Sequence, residues 1–183
     1  MRFIEHKQIF YSTGFLVTLL TWLILRAGSL PAFSILNTVL LIILSYAAMV
    51  FDINTRRIPN KLVLIMLAGW LLLIVPMIAS DSSRGVKLLA DSLYGMLVGG
   101  GLFLLVYLVS RKGLGGGDVK FMAAAGLYLG FAGTIPVILY GTTLAALSGL
   151  VLILLKKITR KDTIPLAPFL FAGIVITIFT SPF

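Results

Sequence analysis

The feature that most constrains this chain is a series of apolar runs, most of them close to the length of a membrane-spanning helix. Their limits fall at about 10–26, 33–51, 62–80, 89–109, 119–131, 134–155 and 164–181. A helix needs roughly 20 apolar residues to cross about 30 Å of hydrocarbon. Because 60% of the 183 residues are hydrophobic, a water-soluble core could not bury them. The pattern predicts an all-α membrane protein, a polytopic bundle of six or seven transmembrane helices that forms one integral membrane domain over residues 1–183.

The stretch 119–155 is too long for one span, so a break is expected between the fifth and sixth helices. Gly130, Gly133 and Pro136 lie where the break is needed, and these residue types interrupt helices. The fifth helix is then unusually short. It crosses only where the bilayer thins, or where its N-terminal end begins below the headgroup level and draws the preceding loop into the membrane.

The basic residues indicate how the helices are oriented. The net charge is +9, but Lys and Arg fall in short clusters between the apolar runs, which favours a role in topology over nucleic-acid binding. With the N-terminus inside, the inside segments hold Arg2, Lys7, Arg56, Arg57, Lys61, Arg111, Lys112, Lys120, Lys156, Lys157, Arg160 and Lys161. The outside segments hold Arg26, Arg84 and Lys87. This bias predicts a cytoplasmic N-terminus, with lipids as partners and no nucleic acid.

Metal and cofactor sites are not expected from the residue types present. The chain has no Cys, and its single histidine, His6, has no potential ligand nearby in the sequence. Six residues are acidic, and for four of them a solvated surface position suffices: Glu5, Asp81, Asp91 and Asp162. Two aspartates remain to be explained.

Asp52 and Asp118 directly adjoin apolar runs on the side predicted to be cytoplasmic. Asp52 stands in the segment Phe-Asp-Ile-Asn-Thr-Arg-Arg-Ile-Pro-Asn at 51–60, in which Pro59 forces a turn and Asn60 can cap the next helix. Asp118 ends the segment Gly-Leu-Gly-Gly-Gly-Asp at 113–118, just before the short fifth span. A carboxylate beside hydrocarbon is costly, so both residues are functional candidates.

Paired carboxyl groups have a specific chemical use. Two that lie close together do not both ionise easily, so one holds a proton while the other accepts one from water. That arrangement suits amide hydrolysis, because one group activates water and the other polarises the scissile carbonyl and protonates the leaving amine. Gly115, Gly116 and Gly117 would let an extended peptide approach the backbone beside Asp118.

The two motifs together resemble those of the prepilin peptidases, the type IV leader peptidases of the Gly-x-Gly-Asp aspartyl protease class. The resemblance covers about 35–135, with a weaker match at Ile-Pro-Leu-Ala-Pro-Phe, 164–169. It implies that Asp52 and Asp118 are the catalytic pair. It also implies substrate-binding or loop-supporting roles for a further set of residues: Asn54, Pro59, Gly115, Gly116, Gly117 and Lys120.

The resemblance also implies the substrate and the place of reaction. The substrate would be a pilin, Tad/Flp pilin or archaellin-type precursor, whose short basic leader precedes an apolar helix. The leader would be cut after a glycine at the cytoplasmic face of a prokaryotic cell membrane. Many bacterial members carry a Cys-x-x-Cys module and also methylate the new pilin N-terminus. This chain has no Cys, resembles the short members without the module, and is not expected to transfer methyl groups.

Three alternatives are consistent with parts of the pattern. The aspartates could be structural carboxylates at helix ends, neutralised by Arg56 or Lys120. A Mg²⁺-dependent transferase acting on a lipid phosphate would also use cytoplasmic aspartates, usually in a denser carboxylate cluster. A proton-coupled transporter would use membrane aspartates as relays, but nearer the middle of the span.

The charge bias generates a prediction about topology. Single cysteines introduced into this Cys-free chain should react with a membrane-impermeant maleimide from the outside at positions 30 and 84, because these lie in the segments with few basic residues. Cysteines at positions 57, 112 and 158 should react only after the membrane is opened. Labelling of position 112 in intact cells would contradict a cytoplasmic site.

Overall fold

The computed structural model describes residues 31–110, 113–159 and 162–180, together with positions 17 and 21. These residues form five α-helices and no strand: α1 Ala32–Thr55, α2 Asn60–Ser80, α3 Ser82–Val109, α4 Gly116–Leu154 and α5 Ala167–Thr180. The first predicted span, 10–26, falls almost entirely outside the described residues.

Four of the described helices, α1 to α4, are long and apolar enough to cross a membrane, while α5 is apolar but has 14 residues. The predicted class is confirmed: the chain is a multi-pass, all-helical membrane protein. A count of seven spans stays a prediction, because the first predicted span is not described. Large apolar side chains such as Leu72, Val109 and Leu154 are more than 70% exposed on the bundle surface, as lipid-facing residues are.

The predicted break in the long apolar stretch is confirmed at Gly130. This residue has φ 64° and ψ −176°, a conformation that only glycine adopts readily, and it separates two helical segments within α4. Phe131, the first residue after the break, donates its main-chain N–H to the Asp91 carboxylate of α3 at 3.2 Å. Asp91 therefore stabilises the start of the second segment, and its side chain has a structural role that its sequence context did not indicate.

Close packing of α3 against α4 is the most extensive helix contact of the bundle. A Cβ atom at Gly95 would overlap the main chain of Gly126, and one at Gly99 would lie 2.6 Å from the Met122 carbonyl oxygen. These glycines thus let the two backbones touch. This contact fixes the position of the first α4 segment, which begins at the candidate site.

Three helix boundaries differ from the predicted spans in ways that matter for the polar residues. The first described helix continues to Thr55, so Asp52 lies in its last turn and not after it. The third begins at Ser82, where Asp81 is the N-cap and accepts the Arg84 N–H at 3.0 Å. The last begins at Ala167, three residues later than predicted.

The break at Gly130 generates a stability prediction. We expect Gly130→Ala to destabilise the protein by about 2 kcal/mol or more, because the new methyl group would collide with the Asp91 carboxylate at a positive φ. Gly101→Ala is the matched control, since a Cβ atom there has nothing within 4 Å. It should be neutral or raise the melting temperature slightly. Equal melting temperatures for the two variants in detergent would contradict this account of the break.

Candidate active site

Asp52 is a buried carboxylate in the last turn of α1, with only 7% of the residue exposed. Its main-chain carbonyl accepts the N–H of Arg56 at 2.8 Å, and Arg56 ends the helix in the left-handed conformation at φ 52°. Its Oδ2 accepts the main-chain N–H of Ala167, the first residue of α5, at 2.9 Å. The carboxylate is therefore both shielded from solvent and held by a donor from a distant helix.

The turn between α1 and α2 is held by short-range contacts. Thr55 donates its hydroxyl to the Arg57 carbonyl at 3.1 Å, and Ile58 is buried against the bundle. Pro59 is the N-cap residue of α2 and lines an open cavity of about 430 Å³ on this turn. The prediction that Asn60 caps the helix is wrong, because α2 has no side-chain cap and Asn60 is already its first residue.

Asp118 lies in the first turn of α4, two residues after the helix begins at Gly116. Gly115 is the N-cap, and its carbonyl accepts the Asp118 N–H at 3.1 Å. The side chain of Asp118 folds back toward Gly115, so that a Cβ atom at that glycine would lie 3.0 Å from Asp118 Oδ2. A carboxylate in the first helical turn is favoured by the free N–H groups at the end of the helix.

The fold brings the two aspartates to the same end of the bundle, near enough for the charges of their carboxyl groups to interact. The glycines before Asp118 make this approach feasible. A Cβ atom at Gly117 would lie 3.2 Å from Ile58 Cβ in the α1–α2 turn. A Cβ atom at Gly116, by contrast, would meet only the Tyr107 ring, at 4.0 Å. The backbone at Gly116 is therefore open, whereas Gly117 is packed against the turn that follows Asp52.

The basic residues expected beside the aspartates have other partners. Lys120 donates its amine to Asn60 Oδ1 at 2.9 Å, which links the first turns of α4 and α2. The Arg56 guanidinium donates to the carbonyl and the hydroxyl of Thr163, at 2.9 and 3.1 Å. Asn54 is exposed on the last turn of α1. Lys120 and Arg56 therefore connect structural elements at this end of the bundle.

The chain matches the profile of one protein family over more than half of its length. The profile described as the type IV leader peptidase family matches residues 38–154, more than half of the chain. The chain belongs to the type IV leader peptidase family. Both Asp52 and Asp118 lie within the matched region.

Individual members of the family are similar at the level of about one residue in three. The "Prepilin leader peptidase/N-methyltransferase" of Escherichia coli K12 is 33% identical over 125 residues, which are 66% of this chain and 51% of that protein. The protein of the same name from Aeromonas hydrophila is 30% identical over 163 residues, 85% of this chain and 54% of that protein. "Leader peptidase HopD" of Escherichia coli is 34% identical over 91 residues, 46% of this chain and 59% of that protein. The chain thus spans about half the length of these relatives, and no solved structure matches it significantly.

Two features of the site were not predicted, and both lie beyond the region that the leader peptidase profile matches. One is the main-chain N–H of Ala167, and the other is the attachment of Thr163 to Arg56. The only signal in the sequence was the weak C-terminal motif at 164–169. Asp162, near this motif, is exposed in a turn outside the spans, where hydrogen bonds from the Thr159 main chain and side chain lower its pKa.

Proposed function

We propose that this chain is a membrane-embedded aspartyl endopeptidase that removes the short basic leader from pilin, Tad/Flp pilin or archaellin-type precursors. The observation that supports it is the placement of two aspartates, Asp52 on α1 and Asp118 on α4, at one end of an apolar bundle, where Gly117 packs on Ile58 of the turn that follows Asp52. Membership of the type IV leader peptidase family supports the same reaction. The relatives named as prepilin leader peptidases favour a prepilin substrate.

The pair performs hydrolysis with one shared proton. The ionised carboxylate takes a proton from a water molecule, whose oxygen attacks the carbonyl carbon of the scissile peptide bond. The protonated carboxyl group donates a hydrogen bond to the carbonyl oxygen, which carries the developing negative charge. The C–N bond then breaks, and the leaving amine takes up a proton from the pair. The two products are the leader, with a new carboxyl end, and the pilin with a free amino end.

The surroundings of the pair suit an extended peptide attached to an apolar helix. The open backbone at Gly116 gives room for a peptide to lie beside Asp118, while the packed Gly117 holds that turn in place. The apolar helix of the precursor would lie in the lipid against the exposed apolar surface of the bundle. The basic segments favour a site at the cytoplasmic face of the membrane. The family resemblance favours a prokaryotic cell membrane, and it gives a peptidase core at about 35–135 inside a single membrane domain.

The two rival functions differ from this proposal in what they need at the site. A lipid-phosphate transferase with Mg²⁺ would need several carboxylates around the metal, and the described part of the chain contains no group of three or more His, Cys, Asp or Glu residues suited to a metal. A proton-coupled transporter would move a solute without cutting a peptide. A cleavage assay separates the peptidase from both rivals, and a transport assay in liposomes separates the transporter from the transferase.

The central prediction concerns the two carboxyl groups. Asp52→Asn and Asp118→Asn should each reduce prepilin cleavage by at least about a hundredfold, because Asn keeps the shape but cannot exchange a proton. The double variant should be no slower than the single ones, since residues that act as a unit are not additive. Purified protein in detergent is mixed with a prepilin, and the loss of the leader is followed on a gel.

Asp81→Asn is the matched control for this assay. Asp81 is an exposed N-cap at the far end of α3, and Asn caps helices as well as Asp does, so wild-type cleavage is expected. EDTA should leave the wild-type rate unchanged. Ready cleavage by either site variant at equal protein levels, or loss of wild-type cleavage in EDTA, would contradict the aspartyl mechanism.

A further inference from the structure

The segment that leads into α5 reaches back to the candidate catalytic site. Its last residue, Ala167, is completely buried and donates its main-chain N–H to Asp52 Oδ2 at 2.9 Å. The two residues are 115 positions apart in the sequence. Ala167 belongs to the weak C-terminal motif at 164–169 and not to the motifs that contain Asp52 and Asp118, and the matched family region ends at 154.

The N–H of Ala167 is free to serve another group because of its place in the helix. The first N–H groups of a helix have no carbonyl acceptor within the helix. In α5, Phe169 and Leu170 donate to the Leu166 carbonyl at 3.0 and 3.1 Å, and Pro168 has no N–H. The donor of Ala167 is therefore left over in the first turn, and the Asp52 carboxylate accepts it.

The segment is also anchored at its other end. The Arg56 guanidinium holds the carbonyl and hydroxyl of Thr163, four residues before Ala167. The main-chain N–H of Arg56 in turn donates to the Asp52 carbonyl. Both ends of the segment thus bind residues at the C-terminal end of α1, which restrains the donor of Ala167 relative to the carboxylate that it binds.

We propose that the main-chain N–H of Ala167 is a positioning group of the active site, which holds the Asp52 carboxylate in the orientation in which it works with Asp118. This inference rests on the proposed peptidase function. A hydrogen bond on Oδ2 restricts rotation of the carboxyl group, and so it also fixes the direction of Oδ1. Hydrogen bonds from N–H groups to carboxylates are among the strongest in proteins, which suits this role.

Two substitutions at Ala167 separate the N–H from the packing of the side chain. Proline and valine each add two carbon atoms to alanine, but only proline removes the N–H. Proline is well tolerated at the first position of a helix, so Ala167→Pro deletes the donor with little cost to α5 itself. Compared with Ala167→Val, we expect Ala167→Pro to lower kcat for prepilin cleavage at least tenfold, with KM within a factor of two. Equal kcat values for these two variants would overturn the proposal.

A second measurement needs no activity and is made on the unsubstituted Ala167. Amide hydrogen exchange at Ala167 in the full chain in detergent should be slow in wild type and at least tenfold faster in Asp52→Ala, which removes the acceptor. Asp118→Ala is the control and should exchange like wild type at this amide. Exchange at Ala167 that is unaffected by Asp52→Ala would overturn the proposal even if both Ala167 variants failed to fold. Failure of the wild type to cut any prepilin, with this exchange pattern intact, would instead contradict the proposed peptidase function.

Discussion

Much of this end of the structure depends on keeping the buried carboxyl group of Asp52 hydrogen-bonded. A buried polar group without a partner costs about 1–3 kcal/mol, and a charged one costs more. The N-terminal end of α5 meets this requirement. The first residue of α5 donates its N–H to Asp52, and the first turn of α4 carries Asp118. Because helix N-termini favour negative charge, two carboxyl groups can be held near each other at the edge of an apolar bundle.

The rest of the bundle sets where these two helix ends lie. The glycines of α3 and α4 let their backbones touch, which fixes the first segment of α4 along its length. At the start of this segment, Gly117 packs on Ile58 and Lys120 binds Asn60. These contacts, one before and one after Asp118 in the sequence, hold Asp118 in place beside the α1–α2 turn. The position of Asp118 is therefore determined by main-chain packing more than by its own side-chain contacts.

The helices and the two aspartates could be predicted from the sequence because their signals are local. Apolar length shows a span, Gly130 marks a break, and a carboxylate beside an apolar run is conspicuous. The hydrogen bond from the Ala167 N–H to Asp52 could not be predicted in this way. Every residue except proline has a main-chain N–H, so the residue type does not indicate which group accepts it. The contact of Arg56 with Thr163 spans 107 positions and has no local signal either.

Two further differences come from helix boundaries. The helix α3 begins at Ser82, earlier than the apolar run indicates, so Asp91 lies in its third turn, where its carboxylate accepts the N–H that follows the break at Gly130. A start for α2 directly after Pro59 moves Asn60 from the cap position into the helix, where its side chain binds Lys120. Such shifts of a helix start change the role of a polar side chain, and apolar periodicity does not define boundaries so finely.

The proposed mechanism requires Asp52 and Asp118 to lie at one site, and cysteine bridging can show whether they do. The chain contains no Cys, so a pair placed at positions 52 and 118 can be treated in membranes with a short bifunctional methanethiosulfonate and examined by mass spectrometry. We expect a bridged peptide that joins α1 to α4, and none for a control pair at 81 and 118, which the length of α3 separates. The absence of a bridge between 52 and 118, when each single cysteine reacts with the reagent, would contradict a shared site for the two aspartates.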